Sequence, residues 1–150
     1  MSVSPTEALA AELRRALLAE FGARAIYARL AKSVRDEALA RLLQELCVEQ
    51  HEQVRAAASL FEVVRRQPPR DSLRRRVLAH VLASLRPVLG QRVVLRICAD
   101  AERTRSGDYA RLSELFARTG ALAPAQTARE CCTRAARHAD ALDAWVALGR

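Results

Sequence analysis

The run Glu20-Phe-Gly-Ala-Arg-Ala-Ile-Tyr27-Ala-Arg-Leu recurs later as Glu102-Arg-Thr-Arg-Ser-Gly-Asp-Tyr109-Ala-Arg-Leu. In both copies a glutamate stands seven residues before a tyrosine, and each lies where an amphipathic helix turns its apolar stripe inward. Seven residues make about two helical turns, so glutamate and tyrosine share one face. A carboxylate on the inner face of a helix is costly unless a cation or a hydrogen-bond donor meets it. The repeat therefore demands an internal partner for each glutamate, and a metal ion is one candidate.

Few residues in the chain favour strands or turns. Five glycines, five prolines and 4% aromatic residues in 150, with alanine, leucine and arginine abundant, suit an all-α protein, and 150 residues suit a single domain. Helices are expected over about 5–34, 37–66, 72–85, 88–119 and 125–148. Ser4-Pro5-Thr6-Glu7 and Asp36 supply start signals, and Gln67-Pro68-Pro69, Pro87 and Gly120 supply stops or bends. The segment 72–85 reads as a crossover helix between two long hairpins. Ser106-Gly107 marks a weak point in the fourth segment.

Each long helix carries a polar residue in mid-stripe: Glu20, His51, Glu102 and His138. Two carboxylates and two imidazoles meeting inside a bundle match the ligand preferences of a borderline or hard transition metal. The same residues singly would read as hydrogen-bonded core polar groups. Tyr27 and Tyr109 could then support the ligands from outside. Val77, Leu78, Val81, Leu82, Leu89, Ile97 and Ala101 are expected to face inward.

These residues resemble the ferritin-like superfamily, in particular rubrerythrin-like and bacterioferritin-like domains. The resemblance rests on Glu20 with Tyr27, the run from Tyr27 to about His51, Glu102 with Tyr109, and His138, 36 positions after Glu102. It implies a four-helix bundle of two hairpins, an Fe or Mn site, oxidoreductase-type chemistry and a homo-oligomer such as a dimer. The family's second and fourth helices each carry a Glu-x-x-His pair whose glutamate bridges two metals, and Val48 and Ala135 stand at the matching positions. Glu49 and Glu52 are displaced from that position by about 100° or more of helix rotation. Without the bridges, a single ion held by Glu20, His51, Glu102 and His138 is the metal reading that remains. No catalytic residue can be named from the sequence.

Other readings use other residues. Cys47, Cys98 and Cys131 recur one or two turns from the polar positions and could add sulfur to a Zn site, although helical core cysteines are ordinarily packing groups. A metal-free bundle acting as an oligomerisation or adaptor module is the non-enzymatic alternative. The formal charge of +8, with Lys32 the only lysine among 25 basic side chains, permits an anionic partner. Arg65, Arg66, Arg70, Arg74, Arg75 and Arg76 form the densest basic run. The lack of interleaved aromatics disfavours single-stranded nucleic acid as that partner. No apolar run is long enough to span a membrane and no signal peptide is evident, so a cytoplasmic protein without a membrane partner is expected.

Overall fold

The computed structural model describes residues 4–72, 80–81 and 84–149, which are helical with no strand among them. Helix α1 spans Pro5–Ser33, with Pro5 in its first turn and Glu7 accepting from the Ser4 N–H at 3.4 Å. Helix α2 spans Glu37–Ser59, and Asp36 caps it by accepting from the N–H groups of Ala38 and Leu39 at 2.9 and 3.1 Å. These contacts occupy amide donors that a helix start otherwise leaves without partners. A 3-10 turn, Leu60–Val64, continues α2 and stops at Arg65, whose φ is 51°.

The second half of the chain opens with a one-turn helix, Arg86–Leu89, with Pro87 in its first turn. Gly90 then breaks the path with φ 82°, a conformation that costs glycine little, and α3 spans Gln91–Arg118. Gly120, also left-handed at φ 78°, turns the chain into α4, Leu122–Ala147. Three boundaries differ from expectation: the second long helix ends at Ser59, with only the 3-10 turn carrying on to Val64, rather than at 66, the third starts after Gly90 rather than at Val88, and the fourth starts ahead of Pro124. Helix α3 continues through Ser106-Gly107, where the Ser106 hydroxyl donates to the Cys132 carbonyl at 3.1 Å. Most of the expected crossover helix, including Val77, Leu78 and Leu82, lies outside the described residues.

Two apolar clusters show how the helices run. One joins Leu13, Leu17 and Phe21 of α1 to Val54 and Ala57 at the end of α2, Leu112 and Phe116 at the end of α3, and Ala125 and Ala128 at the start of α4. The other joins Tyr27 and Leu30 of α1 to Leu39 and Leu43 at the start of α2, Val94 and Cys98 at the start of α3, and Leu142 near the end of α4. It follows that α1 is antiparallel to α2 and α3, while α2 and α3 run the same way. Consecutive long helices that run the same way need a long connection, which the stretch between Val64 and Arg86 provides. Fully buried leucines such as Leu17 and Leu142 each contribute about 2 kcal/mol.

Between the two clusters lies a polar layer. Glu20, Gln50, Gln53, Glu102, Arg105 and His138 are all buried there, with one or two coming from every long helix. On α2 the inward stripe runs Leu39, Leu43, Leu46, Gln50, Gln53, Ala57, alternating steps of four and three. His51 and Val48 fall off that stripe, and both are exposed. Leu89, Ile97 and Ala101 also face outward, contrary to expectation, because the buried stripe of α3 runs through Val94, Leu95, Cys98, Ala99 and Glu102. Val81, expected inward, is likewise exposed.

Candidate functional site: a guanidinium between two carboxylates

Arg105 is the centre of the polar layer. It stands three residues after Glu102 and four before Tyr109, so one face of α3 presents all three side chains inward. Its Nη2 pairs closely with Glu102 Oε1, and its Nε lies 3.7 Å from Glu20 Oε2 on α1. Arg105 is 7% exposed and both carboxylates are fully buried, so the contacts form away from water. Burial alone would weaken the guanidinium's hold on its proton, but Glu102 and then Glu20 outweigh it and leave Arg105 more firmly charged than usual.

Glu102 gathers partners from every long helix. The Tyr27 hydroxyl of α1 donates to its Oε1 at 2.5 Å, and Gln50 Nε2 of α2 donates to the same oxygen at 3.1 Å. His138 Nδ1 of α4 stands 3.5 Å away. Burial pushes its carboxyl pKa up, yet His138, Arg105 and Tyr27 together hold it below the ordinary value, so Glu102 gives up its proton more readily than Glu20. Glu20 is placed differently. Neither of its oxygens makes a well-formed hydrogen bond. Burial raises its pKa, Arg105 opposes this only partly, and the nearby charge of Glu102 raises it further. Tyr109 and Gln53 lie close enough to favour the ionised form slightly, without reversing the direction.

The two tyrosines are thus exchanged between the copies of the repeat. Tyr27, from the first copy, donates to Glu102 of the second, and Tyr109 of the second approaches Glu20 of the first. Burial, then the neighbouring carboxylate, drives both phenols well above their usual pKa and keeps them neutral donors.

His138 links this layer to the surface. Its Nε2 lies 2.8 Å from Glu49 Oε2, and Arg137 pairs with that same oxygen. Burial would raise the Glu49 carboxyl, but His138 and Arg137 bring it below the ordinary value. Beside them Arg134 donates to Gln53 Oε1 at 2.7 Å, while Gln53 Nε2 donates to the Cys131 carbonyl at 2.9 Å.

Of the four residues expected to bind metal, three meet in the interior and one does not. His51 points to solvent, with its Nδ1 2.8 Å from the Cys47 carbonyl of its own helix. Val48, matched above to a bridging glutamate, is 65% exposed and faces no metal position, whereas Ala135 is buried. The three that meet do not fit a metal ion as arranged. A guanidinium already lies between Glu20 and Glu102, where an ion shared by the two would sit, and His138 turns its Nε2 to Glu49 and its Nδ1 to Glu102. No group of three or more His, Cys, Asp or Glu residues suited to hold an ion occurs among the described residues.

The sulfur alternative fares no better. Cys47 and Cys98 border one apolar cluster and Cys131 belongs to the other. Burial pushes the thiols of Cys98 and Cys131 up to about 12, as for packed core cysteines. In the basic run Arg65, Arg66 and Arg70 are exposed, and Arg74, Arg75 and Arg76 lie outside the described residues. Asp71, next to that run, pairs with Arg24 at 3.2 Å.

Sequence reasoning passed over Arg105 and Gln53, and set Glu49 aside as displaced from the inner face. Arg105 could have been found from its i+3 spacing to Glu102, and Gln53 from the α2 stripe. Glu49 sits off the buried stripe and reaches His138 from the side of the helix, which no periodicity announces. No family description, curated protein or solved structure matches the chain. No helix among the described residues is long and apolar enough to cross a membrane.

Proposed function

We propose that this chain is a ferritin-like four-helix bundle that uses an arginine where that family uses inorganic cations, and that it serves as a binding module rather than an oxidoreductase. The observation that carries this reading is Arg105, held between Glu20 and Glu102 inside the polar layer. Two antiparallel hairpins with a long crossover support the ferritin-like assignment. So do Gln50 with Gln53 on α2, and Ala135 with His138 on α4, at the spacing of the family's Glu-x-x-His pairs. In this reading the charges of the layer are spent on one another, and their work is to fix how the hairpins pair. Function then lies on the outer surface.

The test compares wild-type protein, purified without chelator, with Glu102→Ala. Metal content and thermal unfolding are measured with EDTA and with added Mn²⁺, Fe²⁺ or Zn²⁺. The wild type is expected to carry less than about a tenth of an ion per chain and to melt alike in every condition. Stoichiometric metal that raises the wild-type melting temperature, and that is lost in Glu102→Ala, would reject the proposal and restore the Fe or Mn reading.

A further inference from the structure

Six of the large apolar side chains exposed among the described residues fall between positions 81 and 97: Val81, Leu85, Val88, Leu89, Val93 and Ile97. Two helical stripes account for most of them. Val81, Leu85 and Leu89 are four residues apart and joined by backbone hydrogen bonds from the Leu85 N–H to Val81 and from the Leu89 N–H to Leu85. Val93 and Ile97 continue with the same spacing on the outer side of α3. At the junction Gly90 bends the chain, and beside the bend Val88 is 80% exposed.

The charge of this stretch has one sign. From His80 to Ala99 there is no Asp or Glu, while Arg86, Arg92 and Arg96 are present. None of the three pairs with a carboxylate among the described residues. Arg24, Arg103, Arg111, Arg134 and Arg137 have acidic partners, while Arg14, Arg29, Arg55 and Arg129, like these three, have none among the described residues, so what sets this corner apart is its apolar side chains with no acidic residue among them. An apolar corner bordered by unpaired cations is matched by a surface that is apolar beneath and anionic on top.

We infer that the corner around Val88, with Arg86, Arg92 and Arg96, docks on the surface of an anionic lipid bilayer. The apolar side chains would enter the boundary between headgroups and acyl chains, and the guanidiniums would stay at phosphate level. A second copy of the chain is a poor occupant, because a twofold contact would bring the three arginines against their own images. An acidic protein helix would satisfy the charge, but it seats best in a groove, and Val88, 80% exposed, stands out from the surface instead of lining one. A surface contact of this kind needs no membrane-spanning helix.

Co-sedimentation with vesicles decides it. Vesicles of phosphatidylcholine with about 30% phosphatidylserine are expected to bind the wild type, and pure phosphatidylcholine is not. Val88→Asp with Val93→Asp should weaken binding at least tenfold while leaving the melting temperature unchanged. Arg86→Gln with Arg92→Gln and Arg96→Gln should weaken it and flatten its salt dependence. Failure to bind either vesicle would overturn the inference. So would binding indifferent to the aspartates, which would trace it to the overall charge alone. Loss of a self-associated species on introducing the aspartates, or aspartate-sensitive binding only to a synthetic acidic amphipathic helix, would also overturn it by naming another occupant. None of these results bears on the metal content that tests the proposed function.

Discussion

Glu20 and Glu102 occupy the same place in two copies of one repeat, face the same guanidinium and are equally buried, yet they ionise in opposite directions. The difference comes from the neighbouring helices. Glu102 receives Tyr27, Gln50 and the His138 ring in addition to Arg105, whereas Glu20 has a more distant arginine and no well-formed hydrogen bond. Burial is common to both and raises both pKa values. What separates them is how many donors the surrounding helices supply, so a charged side chain's role in this layer is set by its audience rather than by its own helix.

That contrast can be broken most forcefully at Glu102. Glu102→Ala takes from Arg105 the closer of its two carboxylates and from His138 its inner one, and is expected to lower the unfolding free energy in urea by about 3–5 kcal/mol. His138→Ala removes the link to Glu49 and opens a small void, for an expected loss of about 1–3 kcal/mol. Glu20→Gln replaces a carboxyl that burial already favours as neutral, and a loss below about 1 kcal/mol is expected. His51→Ala, on the exposed side of α2, should stay within about 0.5 kcal/mol. Equal losses at positions 20 and 102 would erase the distinction between them.

The pH dependence sharpens the same comparison, because the two carboxyls contribute with opposite sign. Glu102 binds its proton less tightly in the folded state than the usual 4.5, so its stabilisation is present above that value and lost as the pH falls through the lowered one. Glu20 binds its proton more tightly when folded, so its contribution is full below 4.5 and declines as the pH rises through the raised value. Urea titrations across pH 3 to about 8 should show Glu20→Gln removing a loss of stability on the alkaline side of 4.5. Glu102→Gln should instead reduce the loss on the acid side.

Much of this arrangement was legible in the residues. The long helices, their caps at Ser4 and Asp36, the inward course of Glu20, Tyr27, Glu102, Tyr109 and His138, and the two-hairpin order all follow from period and punctuation. His51 misled because its chemistry suits a ligand while its position does not suit the stripe, and Gln50 and Gln53 fill the inward positions instead. Arg105 escaped notice because arginine is abundant in this chain and is ordinarily exposed. Ile97 turns outward because the buried stripe of α3 takes in Leu95 and Ala99 on the other side of Val94 and Cys98, and Leu89 lies before the break at Gly90 that starts this helix.

The counter-ion role of Arg105 can be observed directly by NMR of the arginine side chains. We expect one Nε–H signal, assigned through Arg105→Lys, to exchange slowly with water and to show hindered rotation of its guanidinium. The signal should collapse toward the exposed arginines in Glu102→Gln and be unaffected by His51→Ala. An Arg105 side chain that averages freely with the others in the wild type would contradict the account, because a guanidinium clamped between two buried carboxylates cannot do so.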